Sequence, residues 1–215
     1  KLPYLSVEEI QRRVHIENIE LLRGFIEAGQ PFLSFGAHTA NWEWIPGGLA
    51  TRGVPVDAVY KNLTNPKSDA FMFHVRSSFG VYPIPMQRLM RELIARKNIP
   101  RIIGLVADQS PHEPEHAHWL PFLNHETGFF PGTEKIARTT KMPVVFGEMY
   151  RVKRGYYVTH FHLVAMPPYD DLPQGEITKL YKNMLEKAIQ SHPSEWLWSH
   201  NRWKHKKPTT VHSPQ

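Results

Sequence analysis

The 215-residue chain contains no cysteine, which removes disulfides, thiol nucleophiles and cysteine-ligated zinc together and leaves the redox compartment open. No stretch approaches the ~20 apolar residues that a membrane-spanning helix needs. The longest aliphatic run, Ile102–Ala107, is only the length of a strand. No signal peptide is visible, and the first residue is Lys1 rather than Met. There is no internal repeat, and low complexity is confined to the polar end of the chain after Lys206. The absence of any Gly-x-Ser-x-Gly string withholds support from serine-hydrolase chemistry. Helix-turn-helix, RNP and zinc-finger patterns are missing too, and the basic residues are dispersed, so nucleic acid is not an expected partner.

What is present is a basic balance, 26 Lys and Arg against 20 Asp and Glu, for a net charge of +6. Such a surface suits an anionic membrane, phosphorylated lipids or an acidic carrier protein. The length allows one sizeable domain and does not require a second. Apolar residues at 41% and charged residues at 21% describe an ordinary globular chain.

Hydrophobic periodicity orders the elements. Ser6 with Glu9 reads as a capping box opening a helix to Ala28, closed by Gly29-Gln30-Pro31. Phe32–Phe35 is a buried strand ended by Gly36. A helix from Trp42 follows, capped by Thr39 or Asn41, with Pro46-Gly47-Gly48 expected to kink or shorten it. Val54–Tyr60 is the next strand, and Asn65-Pro66 opens a helix to about Phe79. Val81–Pro85 is extended. Met86–Lys97 is an amphipathic helix with Leu89, Met90, Leu93 and Ile94 expected inward. Arg101–Ala107 is a central strand, and Asp108 to Phe130 reads as a long, His- and Pro-rich loop. A helix over Gly132–Lys141, a hairpin of Pro143–Arg151 and Tyr156–Val164 through Lys153-Arg154-Gly155, and a helix over Ile177–Ser191 complete the pattern. Strands interleaved with helices predict an α/β fold, a single domain with a mixed central sheet flanked by helices. Sites in such sheets gather beyond the carboxyl ends of strands. His38 and Asp108 are both expected there.

His38-Thr39-Ala40-Asn41-Trp42-Glu43 carries the chemistry. Residues five apart diverge on one helix, but across a strand-to-helix turn an imidazole and a carboxylate can converge. The carboxylate then fixes the tautomer, and the other ring nitrogen serves as a general base toward a hydroxyl. The histidines 112, 116, 118 and 125, with Glu113 and Glu115, fit no zinc spacing, and no metal or cofactor is expected.

The His38…Glu43 spacing resembles the HX4D/E motif of glycerolipid acyltransferases, and the fuller Gly-x-His-x-x-Asn-Trp-Glu string resembles the branch that acylates lipid A precursors in Gram-negative bacteria. Four further blocks follow in the expected order: Tyr60-Lys61 with Asn65-Pro66, Arg76 and Gly80; Ala107-Asp108-Gln109-Ser110-Pro111; Leu120 to Asn124 with Thr127, Gly132 and Pro143-Val144-Val145; and Glu195 to Lys204 with Pro208. Two departures stand out, Asn124 in place of a glycine and Asn201 in place of an arginine.

The resemblance implies a glycerolipid acyltransferase-like domain over residues 1–208 and a polar tail over 209–215. It implies transfer of a fatty acyl chain from acyl-acyl carrier protein to a hydroxyl of a lipid A precursor, with His38 as base and Glu43 orienting it. Asn41, Arg76, Asp108, Gln109, Thr127, Gly132 and Arg202 are the implied substrate-binding residues, Asp108 and Gln109 either accepting from sugar hydroxyls or orienting Arg76. Oxyanion donors are sought among the amides after His38 or at Arg76, and Phe71, Phe73, Phe129 and Phe130 as lining of an acyl channel. The implied setting is the cytoplasmic face of the bacterial inner membrane, with any N-terminal anchor outside this chain or absent. Phospholipid, glycolipid or aminolipid acceptors, acyl-CoA as donor, and an inactive lipid-binding module at a membrane surface are the alternatives.

Overall fold

The structure is a computed structural model describing residues 4–208; the expected tail over 209–215 lies outside the described residues. Seven strands form one sheet in the order β1-β9-β8-β2-β5-β3-β4. They are β1 (Val14–Ile16), β2 (Phe32–Gly36), β3 (Val56–Tyr60), β4 (Tyr82–Pro85), β5 (Ile102–Val106), β8 (Val144–Lys153) and β9 (Tyr156–Ala165). All neighbours are parallel except the β8–β9 hairpin, so the sheet is mixed and α/β as its sequence pattern predicts. Strand alternation divides the core. Leu33 and Phe35 face one side with Ile103, Leu105, α6 (Pro131–Thr140) and α7 (Glu176–Ser191). Phe32 faces the other with Ile102, Val145, α1 (Val7–Arg13), α2 (Ile19–Glu27) and α3 (Ile45–Ala50).

Four departures from the sequence reading have local causes. The first helix is two helices separated by β1. Ser6 caps α1 by accepting from the Glu9 amide at 3.2 Å. Val14 and Ile16, buried on either side of exposed His15, fit the period of a strand, and the open edge of β9 takes them up. Near Trp42 the chain makes a 3-10 turn, Trp42–Trp44, before α3, and Pro46 sits in the first turn of α3 rather than kinking it. Gly48 lets α3 approach β1, since a Cβ there would lie 2.8 Å from Val14 Cγ1.

The long loop holds a hairpin of β6 (His118–Phe122) and β7 (His125–Phe129). Its two central residues, Leu123 and Asn124, have φ of 48° and 64°, the left-handed pair of a type I′ turn, in which Asn substitutes readily for Gly. The Leu123 amide is held by Glu186 at 2.7 Å. Finally, α4 (Pro66–Arg76), capped by Asn65, buries none of its residues. On α5 (Leu89–Ala95) Leu89 and Leu93 point inward, whereas Met90 and Ile94 are 48% and 68% exposed.

Candidate active site

The strand register builds the site. In the parallel pair β2–β5, Gly36 lies opposite Val106. Both chains run on from there, so His38 and Asp108 leave the same carboxyl edge side by side. His38 Nδ1 stands 2.6 Å from Asp108 Oδ1, and the His38 amide donates to Asp108 Oδ2 at 3.1 Å. The Trp196 indole N–H donates to Oδ2 at 2.8 Å. Burial pushes the Asp108 carboxyl up, but the bonds from the His38 ring, the Trp196 indole and the His38 amide outweigh it and hold it below its ordinary value. Asp108 therefore stays ionised as pH falls into the ordinary carboxylate range. An anionic Asp108 accepts a hydrogen bond from His38 Nδ1–H, which keeps the ring proton on Nδ1 and leaves the lone pair on Nε2.

Glu43, expected to orient His38, does not. From the 3-10 turn it forms an ion pair with Arg76, Nη2 to Oε1 at 2.7 Å and Nε to Oε2 at 3.3 Å. The tight turn at Thr39–Asn41 carries Glu43 past the imidazole toward the end of β3, where Arg76 also lies over the Tyr60 ring at 5.1 Å. Arg76 keeps Nη1 buried without a protein partner among the described residues. Asp108, expected to meet substrate or to orient Arg76, is 2% exposed and already engaged with His38 and Trp196.

A cavity of about 390 Å³ opens beside His38 on the α3 side of the sheet. Its floor exists because that face carries small side chains where the strands are in register. Ser34 lies opposite Gly104, and Gly104 opposite Ala58, with Gly36 and Gly147 alongside. Ile45, Pro46, Val59, Leu105 and Met86 give apolar walls. His38, Glu43, Lys61, Arg76 and Gln109 give polar ones. Gln109 Nε2 is 3.4 Å from His38 Nε2, and Trp42 meets the imidazole edge-on at 4.9 Å between centroids.

The remaining expected binding residues lie elsewhere. Asn41 flanks the 3-10 turn without a side-chain cap bond and, like Thr127, Gly132 and Arg202, is absent from the cavity lining. Thr127 is buried and accepts from the Trp203 indole at 2.8 Å. Gly132 is exposed at the start of α6. Arg202 is buried over the Phe129 ring and donates to the Gly128 carbonyl at 2.7 Å. Burial brings its guanidinium down to about 10. Phe129 belongs to the core, Phe71 and Phe73 to the surface, and the half-buried Phe130 meets the His112 ring at 6.3 Å between centroids, so none of the four lines this cavity.

The C-terminal segment clamps this edge, and Trp196 is the candidate site residue that sequence reasoning passed over. Thr39 bridges to Trp196, the Ala40 amide donates to Glu195 O at 2.7 Å, and Leu197 N donates to His38 O at 3.0 Å. His200 Nε2 accepts from the Ser110 amide at 3.1 Å. Burial and then the charges of Lys204 and Arg202 lower its pKa, consistent with a neutral ring. The Thr39 amide is turned to Ala37 O at 2.9 Å. The His38, Thr39 and Ala40 amides are thus all committed, and Lys61, Arg76 and Gln109 are among the side-chain donors on the cavity. The density of tryptophan in Glu195–Trp203 signalled packing against the core, but nothing in the sequence pointed that indole at Asp108.

This geometry, a carboxylate-held imidazole facing a mixed polar and apolar cavity, suits proton abstraction from a hydroxyl. The family model described as bacterial lipid A biosynthesis acyltransferase matches residues 1–205. No curated protein matches the chain. The crystal structure of the 1-acyl-sn-glycerophosphate (LPA) acyltransferase PlsC from Thermotoga maritima is similar at 14% identity, covering 88% of this chain and 80% of its own, with a TM-score of 0.47. The chain belongs to the bacterial lipid A biosynthesis acyltransferase family, and it is an acyltransferase.

Proposed function

We propose that the protein moves a fatty acyl chain from the thioester of an acyl carrier protein to a hydroxyl of a lipid A precursor, with His38 as general base and Asp108 as the group that holds it. The observation carrying this reading is the 2.6 Å contact of His38 Nδ1 with Asp108 beside a cavity. The acceptor hydroxyl gives its proton to His38 Nε2 as its oxygen attacks the thioester carbonyl. A carbon–oxygen bond forms, and the tetrahedral oxyanion collapses with cleavage of the carbon–sulfur bond. The thiolate leaves and recovers the proton from Nε2. No acyl-enzyme is invoked, because the site supplies a base and the chain has no thiol.

Arg76, aligned by Glu43 and with Nη1 unpartnered among the described residues, is the oxyanion or phosphate donor in this scheme. The basic balance of the chain complements an acidic carrier and a phosphorylated acceptor. The setting that fits these substrates is the cytoplasmic face of the inner membrane.

The test is transfer from labelled acyl-acyl carrier protein into a detergent-solubilised lipid A precursor, with acyl-CoA and lysophospholipid as competing donor and acceptor. Product on the precursor from the carrier alone is the expected result. Product only on the lysophospholipid, or only from acyl-CoA, would overturn the assignment of substrate. Arg76→Ala is expected to lower kcat/KM by about 10- to 150-fold, the worth of one hydrogen bond to a charged group. An unchanged kcat/KM would remove Arg76 from the site.

A further inference from the structure

Asp108 has two tasks at once: to stay ionised while almost wholly buried, and to keep one oxygen aimed at the His38 ring. A buried carboxylate is held ionised by the N–H groups that donate to it, and the positions of those donors fix the direction in which it points. Oδ2 takes two of them, the His38 amide at 3.1 Å and the Trp196 indole at 2.8 Å, which leaves Oδ1 to the imidazole at 2.6 Å. The amide belongs to His38 itself. The indole comes from the far end of the chain and anchors the pair from outside.

That anchor is rigid. Trp196 is buried and meets Phe122, Trp198 and Trp203 edge-on at 5.9, 4.7 and 6.1 Å between centroids. Its backbone bridges to Thr39, and its neighbours Glu195 and Leu197 are bonded to the turn that carries His38. The other titratable groups that sense the Asp108 charge are Tyr181, His200 and Arg202. All three bond elsewhere: Tyr181 donates to the Gly36 carbonyl at 2.7 Å, His200 accepts from the Ser110 amide, and Arg202 donates to the Gly128 carbonyl. Among the described residues, His38 and Trp196 are therefore the two side chains that bond this carboxylate.

We infer that Trp196 is a positioning residue of acyl transfer, its indole N–H fixing the Asp108 carboxylate in the direction that holds the His38 ring with Nε2 toward the cavity. This rests on the reading of His38 as general base. When His38 takes the hydroxyl proton it becomes an imidazolium against Asp108. A carboxylate that already accepts the indole N–H competes less for the Nδ1 proton, so the ring keeps it and returns the Nε2 proton to the leaving thiolate. Trp196 does not line the cavity, so the C-terminal segment serves the reaction through Asp108 alone.

Trp196→Phe keeps a ring in the aromatic cluster and deletes the N–H. It should lower kcat by about 10- to 150-fold, the worth of one hydrogen bond to a charged group, with KM within about twofold of wild type. The acid limb of kcat/KM should move to higher pH, because a carboxylate with one donor fewer is protonated more readily. In the Asp108→Asn background the same substitution should cost no more than about threefold, since its effect runs through the carboxylate. Trp203→Phe is the control. It removes the indole N–H donated to Thr127 Oγ1 at 2.8 Å, and should lower the thermal midpoint while leaving kcat and the acid limb in place. Wild-type kcat and acid limb in Trp196→Phe overturn the inference, as does a loss that is fully additive with Asp108→Asn. A reading free of any variant's folding comes from NMR of the wild-type protein, where the Trp196 indole proton should shift with the same midpoint as the His38 ring protons. An indole proton that stays still overturns the inference even if Trp196→Phe does not fold. Absence of acyl transfer in wild type would sink the proposed reaction alone, because the indole proton still tests the link to the His38–Asp108 pair.

Discussion

His38→Ala is expected to reduce acyl transfer by at least about 10⁴-fold, and Asp108→Asn by about 10²- to 10⁴-fold, each in a protein that remains folded. The first removes the only imidazole that the cavity presents among the described residues, and general-base assistance is worth about 10²- to 10⁴-fold before orientation of the acceptor is counted. The second preserves shape but reverses a hydrogen bond. An amide in place of the carboxylate donates N–H to Nδ1, which drives the imidazole proton to Nε2, where the base lone pair is required.

Glu43→Gln supplies the contrast. It leaves the His38–Asp108 contact intact and weakens only the ion pair to Arg76. Its loss should therefore appear mainly in KM and stay within about tenfold. Steady-state kinetics on the three purified variants decide the matter. A Glu43→Gln defect in kcat as deep as that of Asp108→Asn would return the orienting role to Glu43 and refute the assignment drawn from the structure.

Asp57→Ala should produce the largest loss of stability, about 3–5 kcal/mol, out of the roughly 5–15 kcal/mol that holds a domain together. Asp57 on β3 is 1% exposed and serves two arginines. Arg101, with no exposed surface, donates Nε to it. Arg101 Nη1 adds bonds to the Arg96 and Ile99 carbonyls at 2.5 and 2.8 Å. Arg96 Nη2 reaches Asp57 Oδ1 at 2.9 Å and lies over the Tyr82 ring at 4.0 Å. Removing the carboxylate strands two buried or half-buried cations, a far larger penalty than any one contact is worth. Urea unfolding should show a lower midpoint at unchanged slope. Asp57→Asn, which keeps an acceptor, should fall between. A shift below about 1 kcal/mol would mean that water reaches Arg101. Because Asp57 does not line the cavity, activity at low temperature should survive in both variants.

The sequence by itself determined a good deal here. Alternation and punctuation located β2, β3, β5 and the β8–β9 hairpin, because strands of the central sheet carry their signal in their own residues. Asn65-Pro66 announced α4 for the same local reason. His38 and Asp108 were each recognisable as polar residues just beyond a strand, and the ordered blocks disclosed the family. Pairing was another matter. Glu43 is five residues from His38 and Asp108 is seventy, yet the distant one is the partner, because β2 and β5 lie side by side in a sheet whose strand order no local pattern encodes. Trp196 reaches the same carboxylate only after the chain has crossed the whole fold. Met90 and Ile94 looked like core, since helical spacing reports which residues share a face but not what that face meets. The division follows from range: propensity, capping and turn chemistry act within a few residues, whereas the imidazole's partner and the exposure of an apolar stripe depend on which strands and helices become neighbours.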